Sequence, residues 1–190
     1  MKYISLVEIL TIKTNNVNTF VFPIAACALF ILSAFTVRLA QDWKIAENYA
    51  IKFTGGDPSG EFKGLKGVVK FDPNDLAGSK FDVTIDVATI NTGNGMKNTH
   101  AKSAMWFDAE KYPVIKFTSS AISKKASGYE VKGTIDMHGV QKEVVIPFVF
   151  EDNTFKGSFD IDRMDYKINV AEPDHGASKF KLDIAVPVTK

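Results

Sequence analysis

Between residues 81 and 87 every second side chain is apolar: Phe81, Val83, Ile85 and Val87 alternate with Asp82, Thr84 and Asp86. Successive strand residues point to opposite sides, so this pattern predicts a strand with one dry face and one wet face. The same sorting places Tyr129, Val131, Ile135 and Met137 opposite Glu130, Lys132, Thr134 and Asp136, and Phe180, Leu182, Ile184, Val186 and Val188 opposite Lys181, Asp183 and Ala185. Further strands are predicted over 43–53, 61–71, 114–125, 140–151 and 154–166. Turn signals separate them: Gly55-Gly56-Asp57-Pro58, Asp72-Pro73-Asn74-Asp75, Ser127-Gly128, His138-Gly139 and Asp152-Asn153. Eight strands with short connections predict an all-β, up-and-down antiparallel sheet. A sheet that large must cover its apolar face, and closing into a barrel does so while removing its edges. An eight-stranded antiparallel β-barrel over residues 43–190 is therefore expected.

One connection breaks the pattern. Residues 92–113 carry Gly93 and Gly95, then a stretch with helical character over 96–103, then a second helical turn over 106–112 that Pro113 stops. This short helical insertion near 94–112 is too long for a hairpin, and loops of that size are usually functional. Its aromatics Trp106 and Phe107, with His100, are placed to plug or lid one barrel mouth.

The N-terminal part reads differently. Residues 20–37 hold no charge, Lys2 and Lys13 precede them and Arg38 follows, the arrangement of a secretory signal with a long leading region. The 18-residue run is also just long enough to span a bilayer, so residues 1–40 are assigned either to a signal peptide or to an N-terminal membrane anchor. Cleavage after Ala40 fits best, although Arg38 departs from the small-x-small rule. Ile24-Ala25-Ala26-Cys27 matches a lipoprotein box, but an uncharged run continues to Val37 where a polar tether is the norm. A periplasmic or secreted domain is expected, or a membrane-anchored one facing the periplasm.

Composition narrows the function. With 45% hydrophobic residues the chain can build a sizeable core, and 23 basic against 22 acidic residues, with lysines scattered through the strands, argue against nucleic acid as a partner. Cys27 is the one cysteine, so the expected barrel has neither a disulfide nor a cysteine metal site. His100, His138 and His175 lack neighbours at metal-ligand spacing, and His138 and His175 read as turn and loop residues. Asp160, Asp162, Arg163 and Asp165 read as a solvated face or an ion-pair group at a strand end. No nucleophile elbow, phosphate loop or carboxylate pair stands out, so neither catalysis nor a metal or cofactor is expected. An integral outer-membrane barrel would place Asp82, Asp86, Glu130, Lys132 and Asp136 in lipid, which excludes that reading.

The inward alternates form a large aromatic set that includes Phe53, Phe71, Phe81, Phe117, Tyr129, Phe148, Phe150, Phe155, Phe159 and Phe180. An eight-stranded barrel has an interior that side chains can fill or that can hold one small ligand, and the pattern leaves both open. If a ligand is held, its contacts are Phe53, Phe71, Phe81, Val83, Ile85 and Phe117, then Tyr129, Val131, Ile135, Phe148, Phe159, Phe180 and Leu182, with His100, Trp106 and Phe107 at the lid. A long thin apolar chain suits so elongated a space.

Several stretches stand out together, in order and spacing. They are Ile85-Asp86-Val87-Ala88-Thr89-Ile90-Asn91-Thr92-Gly93, then His100-Ala101-Lys102-Ser103 followed by Trp106-Phe107-Asp108, then Lys111-Tyr112-Pro113-Val114-Ile115-Lys116-Phe117-Thr118-Ser119. Gly133-Thr134-Ile135-Asp136-Met137-His138-Gly139-Val140-Gln141-Lys142 and Gly157-Ser158-Phe159-Asp160-Ile161-Asp162-Arg163-Met164-Asp165-Tyr166 complete the set. Together these stretches resemble the YceI family of periplasmic polyisoprenoid-binding proteins, and the resemblance implies a lipocalin-like barrel that binds a long-chain isoprenoid or acyl lipid in its lumen, as a carrier or sequestering protein of the bacterial cell envelope. A stress or interaction module with a filled barrel is the alternative. A second copy of the chain is a further candidate partner, as is the membrane if the N-terminal segment stays uncleaved. Where family members often carry Arg-Asp shortly before His-Leu, this chain has Lys97-Asn98 and then His100-Ala101, which leaves the ligand's head group unassigned.

Overall fold

The computed structural model describes residues 40–172 and 176–190. The expected leader, Cys27 and His175 lie outside the described residues. The first expected strand is built in two pieces, β1 (Asp42–Ile45) and β2 (Ala50–Thr54), and the second in two more, β3 (Ser59–Phe62) and β4 (Lys66–Lys70). The other six are continuous: β5 (Lys80–Asp86), β6 (Val114–Lys125), β7 (Gly128–Met137), β8 (Val140–Glu151), β9 (Thr154–Asp162) and β10 (Lys179–Thr189). The first two expected strands pair antiparallel through β1–β4 and β2–β3, β4 to β10 each pair antiparallel with the next, and β10 closes the sheet on both β1 and β2. The ten segments thus act as eight strands of a closed barrel. The two interruptions lie side by side, where the Leu65 N–H donates to the Tyr49 hydroxyl at 2.9 Å.

The hairpin turns follow from local chemistry. His138 and Gly139 have φ of 54° and 71°, and Asp152 and Asn153 have 48° and 53°. Positive φ at both central residues is the geometry that matches strand twist in a two-residue loop, and Gly, Asn and Asp tolerate it best. His138 is a turn residue, as its place before Gly139 suggests, and its Nδ1 is 3.1 Å from the Tyr166 carbonyl oxygen. A bulge between Ser119 and Ala121 shifts the β6–β7 register. The extra residue inverts the in-out parity of β6, so that both Phe117 and Ile122 join the core.

Three local expectations are corrected. The helix α1 spans Gly95–Lys102, one residue earlier than expected, because the Asn94 side chain accepts the Met96 and Lys97 N–H groups and sets its start. Residues 106–112 form consecutive turns of which only the last is helical, closed by the Tyr112 N–H donating to the Asp108 carbonyl at 2.8 Å, with Phe107 N–H donating to the Ala101 carbonyl and Asp108 at φ 46°. The strand expected over 154–166 stops at Asp162, whose carboxylate accepts the Met164 N–H and starts a 3-10 turn over Arg163–Tyr166.

β9 leaves β8 well before that stop and continues to Asp162 on β10 alone. The β8–β9 ladder runs only from Glu151↔Thr154 to Phe148↔Gly157, so toward the β7–β8 turn the two strands part. The chain after β9 contributes Tyr166 and Ile168, 2% and 1% exposed, to a cluster with Trp106, Ile135 and Met137. A second cluster gathers Ile51, Phe53, Phe62 and Ile90 near the β2–β3 turn. The third is aromatic and includes Phe71, Phe148 and Phe155, with Trp43, Phe81, Tyr129 and Phe150 packed against it.

Candidate functional site

The barrel is filled at one end and open at the other. Phe71 is 0% exposed, and its ring centre lies 5.1 Å from Tyr129, 5.2 Å from Phe150, 5.3 Å from Phe155 and 5.7 Å from Phe148, all edge-on. Edge-to-face packing at these separations is favourable beyond the area it buries. The Trp43 indole N–H donates to the Phe71 carbonyl at 2.9 Å and pins this layer to β1.

Beyond that layer lies a cavity of about 670 Å³. Its wall takes Phe81, Val83 and Ile85 from β5, Phe117 from β6, Val131 and Ile135 from β7, and Phe148 and Phe159 from β8 and β9. Phe53, Phe180 and Leu182 complete it from β2 and β10. His100, Trp106 and Phe107 line it from the 92–113 connection, which lies over this end of the barrel. Phe71 and Tyr129, the other two residues read as ligand contacts, do not line the cavity; they belong to the packed end. The difference is one of depth along the barrel, because alternation assigns a face and not a height.

The cavity also takes residues that were not named as contacts. Ile51, Ile115, Ile146, Phe155 and Val186 lie on inward-facing strand positions and were legible from parity. Ile90 and Ile168 come from connections and carry no periodic signal.

Polar groups collect at the mouth. Lys97 of α1 and Asp57 of the β2–β3 turn form an ion pair there, and both side chains are exposed. His100 is exposed, its ring 6.0 Å from that of Trp106. Arg163 is 4% exposed. Its Nε donates to the Ala177 carbonyl at 3.0 Å, and one Nη to the carbonyls of Ile168 at 2.7 Å and Asn169 at 2.9 Å. The guanidinium thus orders the connection before β10, and the polar group read at this strand end contains a buried cation. Next to it, burial pushes the Tyr166 phenol up to about 12, with a smaller contribution from the Asp165 charge. Among the described residues no three metal-ligating side chains converge, and no helix is long and apolar enough to cross a membrane. The arrangement is a deep apolar slot with a polar rim, suited to a molecule with a long tail and a small head.

Comparison with known proteins agrees with this architecture. A model of the YceI-like domain matches residues 40–188. A UPF0312 protein of Photorhabdus laumondii is 37% identical over 87 residues, 46% of this chain and 45% of the relative, so the matched stretch spans about half of that protein's length. Among solved structures, Burkholderia cenocepacia BcnA superposes with a TM-score of 0.70 at 27% identity, covering 77% of this chain and 100% of that one. A polyisoprenoid binding domain from Saccharophagus degradans shares the fold, with a TM-score of 0.57 at 17% identity over 78% of this chain and 97% of that one.

Proposed function

The chain belongs to the YceI-like family, and from that membership and the shape of its lumen we propose that it binds a long-chain isoprenoid or other amphipathic lipid inside the barrel. It would act as a carrier or sequestering protein of the cell envelope, periplasmic or secreted, and not as an enzyme. The observation that carries this reading is the predominantly apolar cavity of about 670 Å³, which ends on a packed aromatic layer. Each methylene moved from water into such a space gains about 0.8 kcal/mol, so chain burial outweighs any single head-group contact once a few carbons are inside. The shared fold of the Saccharophagus degradans domain, a polyisoprenoid binding domain, supports the same ligand class. A barrel working only through its outer surface has no need of a lumen this size.

The test is to purify the protein from a bacterial envelope, denature it in organic solvent and examine the extract by mass spectrometry. A prenyl or acyl lipid in stoichiometric amount is expected, and its loss from a Val83→Trp variant that still folds. An extract without lipid, together with no uptake of an added prenol, would overturn the proposal.

A further inference from the structure

The cavity does not run the length of the barrel. Phe81, Phe148 and Phe155 line its inner end, with ring centres 5.6 Å apart for Phe81 and Phe148 and 5.3 Å apart for Phe81 and Phe155. Directly behind them stand Phe71, Tyr129 and Phe150, which do not touch the cavity. The two layers interlock: Phe150 lies 4.4 Å from Phe155, and Tyr129 stacks on Phe148 at 5.4 Å. Interiors packed in this way resist deformation, and a chain entering from the mouth cannot displace several mutually supporting rings without losing their contacts.

Resting on the lipid-binding reading above, we infer that the Phe81, Phe148 and Phe155 layer is a chain-length stop. At about 30 Å³ for each water-sized heavy atom, the 670 Å³ of the cavity encloses on the order of twenty carbons. The occupant's buried part is therefore of diterpenoid length. A longer tail still binds, but the excess emerges at the rim beside Lys97 and Asp57 and stays in water. Affinity then rises with chain length up to the stop and levels off beyond it. Strand geometry identifies a residue that can move the stop. On β5 the wall residues Phe81, Val83 and Ile85 form successive rungs toward the mouth, each about 6 to 7 Å above the last. A phenylalanine at position 83 raises the floor by one rung into open space, so it shortens the slot without leaving a hole.

The experiment is a binding series on the full-length protein with geraniol, farnesol, geranylgeraniol and longer all-trans prenols, read by displacement of a fluorescent fatty acid. Full burial of a methylene is worth up to about fourfold in affinity. The native protein is expected to gain steeply up to geranylgeraniol and then change by less than about twofold, since further carbons are not buried. Val83→Phe moves the break to a shorter prenol. Phe81→Ala moves it to a longer one, and circular dichroism checks that both variants are folded. Native affinity that keeps climbing past geranylgeraniol, or a break that Val83→Phe leaves in place, overturns the stop and leaves the lipid reading intact. Failure to bind any prenol or fatty acid overturns both.

Discussion

The Arg163 guanidinium lies 5.3 Å from the centre of the Trp106 ring, so the connection after β9 is tied to the connection between β5 and β6. A cation over an indole face is favourable, more so when both are out of water. Four backbone carbonyls, those of Ile168, Asn169, Ala177 and, at 3.5 Å, Glu172, take hydrogen bonds from the same side chain. Arg163→Ala removes these donors from a buried site and is expected to cost about 3 kcal/mol or more. Arg163→Lys is not expected to restore it, because an ammonium cannot reproduce the planar fork of donors. Urea unfolding midpoints at constant slope measure both.

Phe71 supports the inner end of the lumen without touching it. Phe71→Ala should destabilise the barrel by about 3–5 kcal/mol, the range for removing a fully buried ring. Thermal unfolding checks this, and a loss below about 1 kcal/mol would mean that the aromatic layers are not close-packed.

At the mouth, the Lys97–Asp57 pair is held in water, with side chains 46% and 78% exposed. Exposed pairs contribute little, so Lys97→Ala or Asp57→Ala should change stability by less than about 1 kcal/mol. A double-mutant cycle gives the coupling directly, and a value that survives high salt would contradict this account.

Tyr166 makes stability fall at alkaline pH. Its phenol is held at about 12 in the folded chain against an ordinary value of 10.0. Within that window the folded chain keeps a proton that the unfolded chain has released, so unfolding is favoured as pH rises. The contribution is fully present below pH 10 and is lost as pH climbs toward 12. Tyr166→Phe has no phenolic proton and should flatten this part of the curve, which unfolding measured at a series of alkaline pH values will show.

Alternation such as that from Phe81 to Val87 and the paired turn residues His138-Gly139 and Asp152-Asn153 were sufficient to read the strand order, most buried faces and the hairpins, but not the breaks in the first two strands or the bulge in β6. These features depend on neighbours along the chain, and a period of two assigns a face wherever it occurs. The 92–113 connection was legible as a break in the strands for the same local reason, since its glycines, its helical stretch and Pro113 interrupt that period. What the chain did not disclose is height along the barrel. Phe71 and Phe81 are both inward aromatics, yet one is packed out of reach and the other faces the cavity, because strand register and closure through β10 set how deep each ring sits. The parting of β8 from β9, the buried seat of Arg163 and the meeting of Lys97 with Asp57 have the same origin. Each joins residues whose proximity exists only once the sheet has closed, so sequence alone determined a barrel with an apolar interior, and the tertiary structure decided which part of that interior is space.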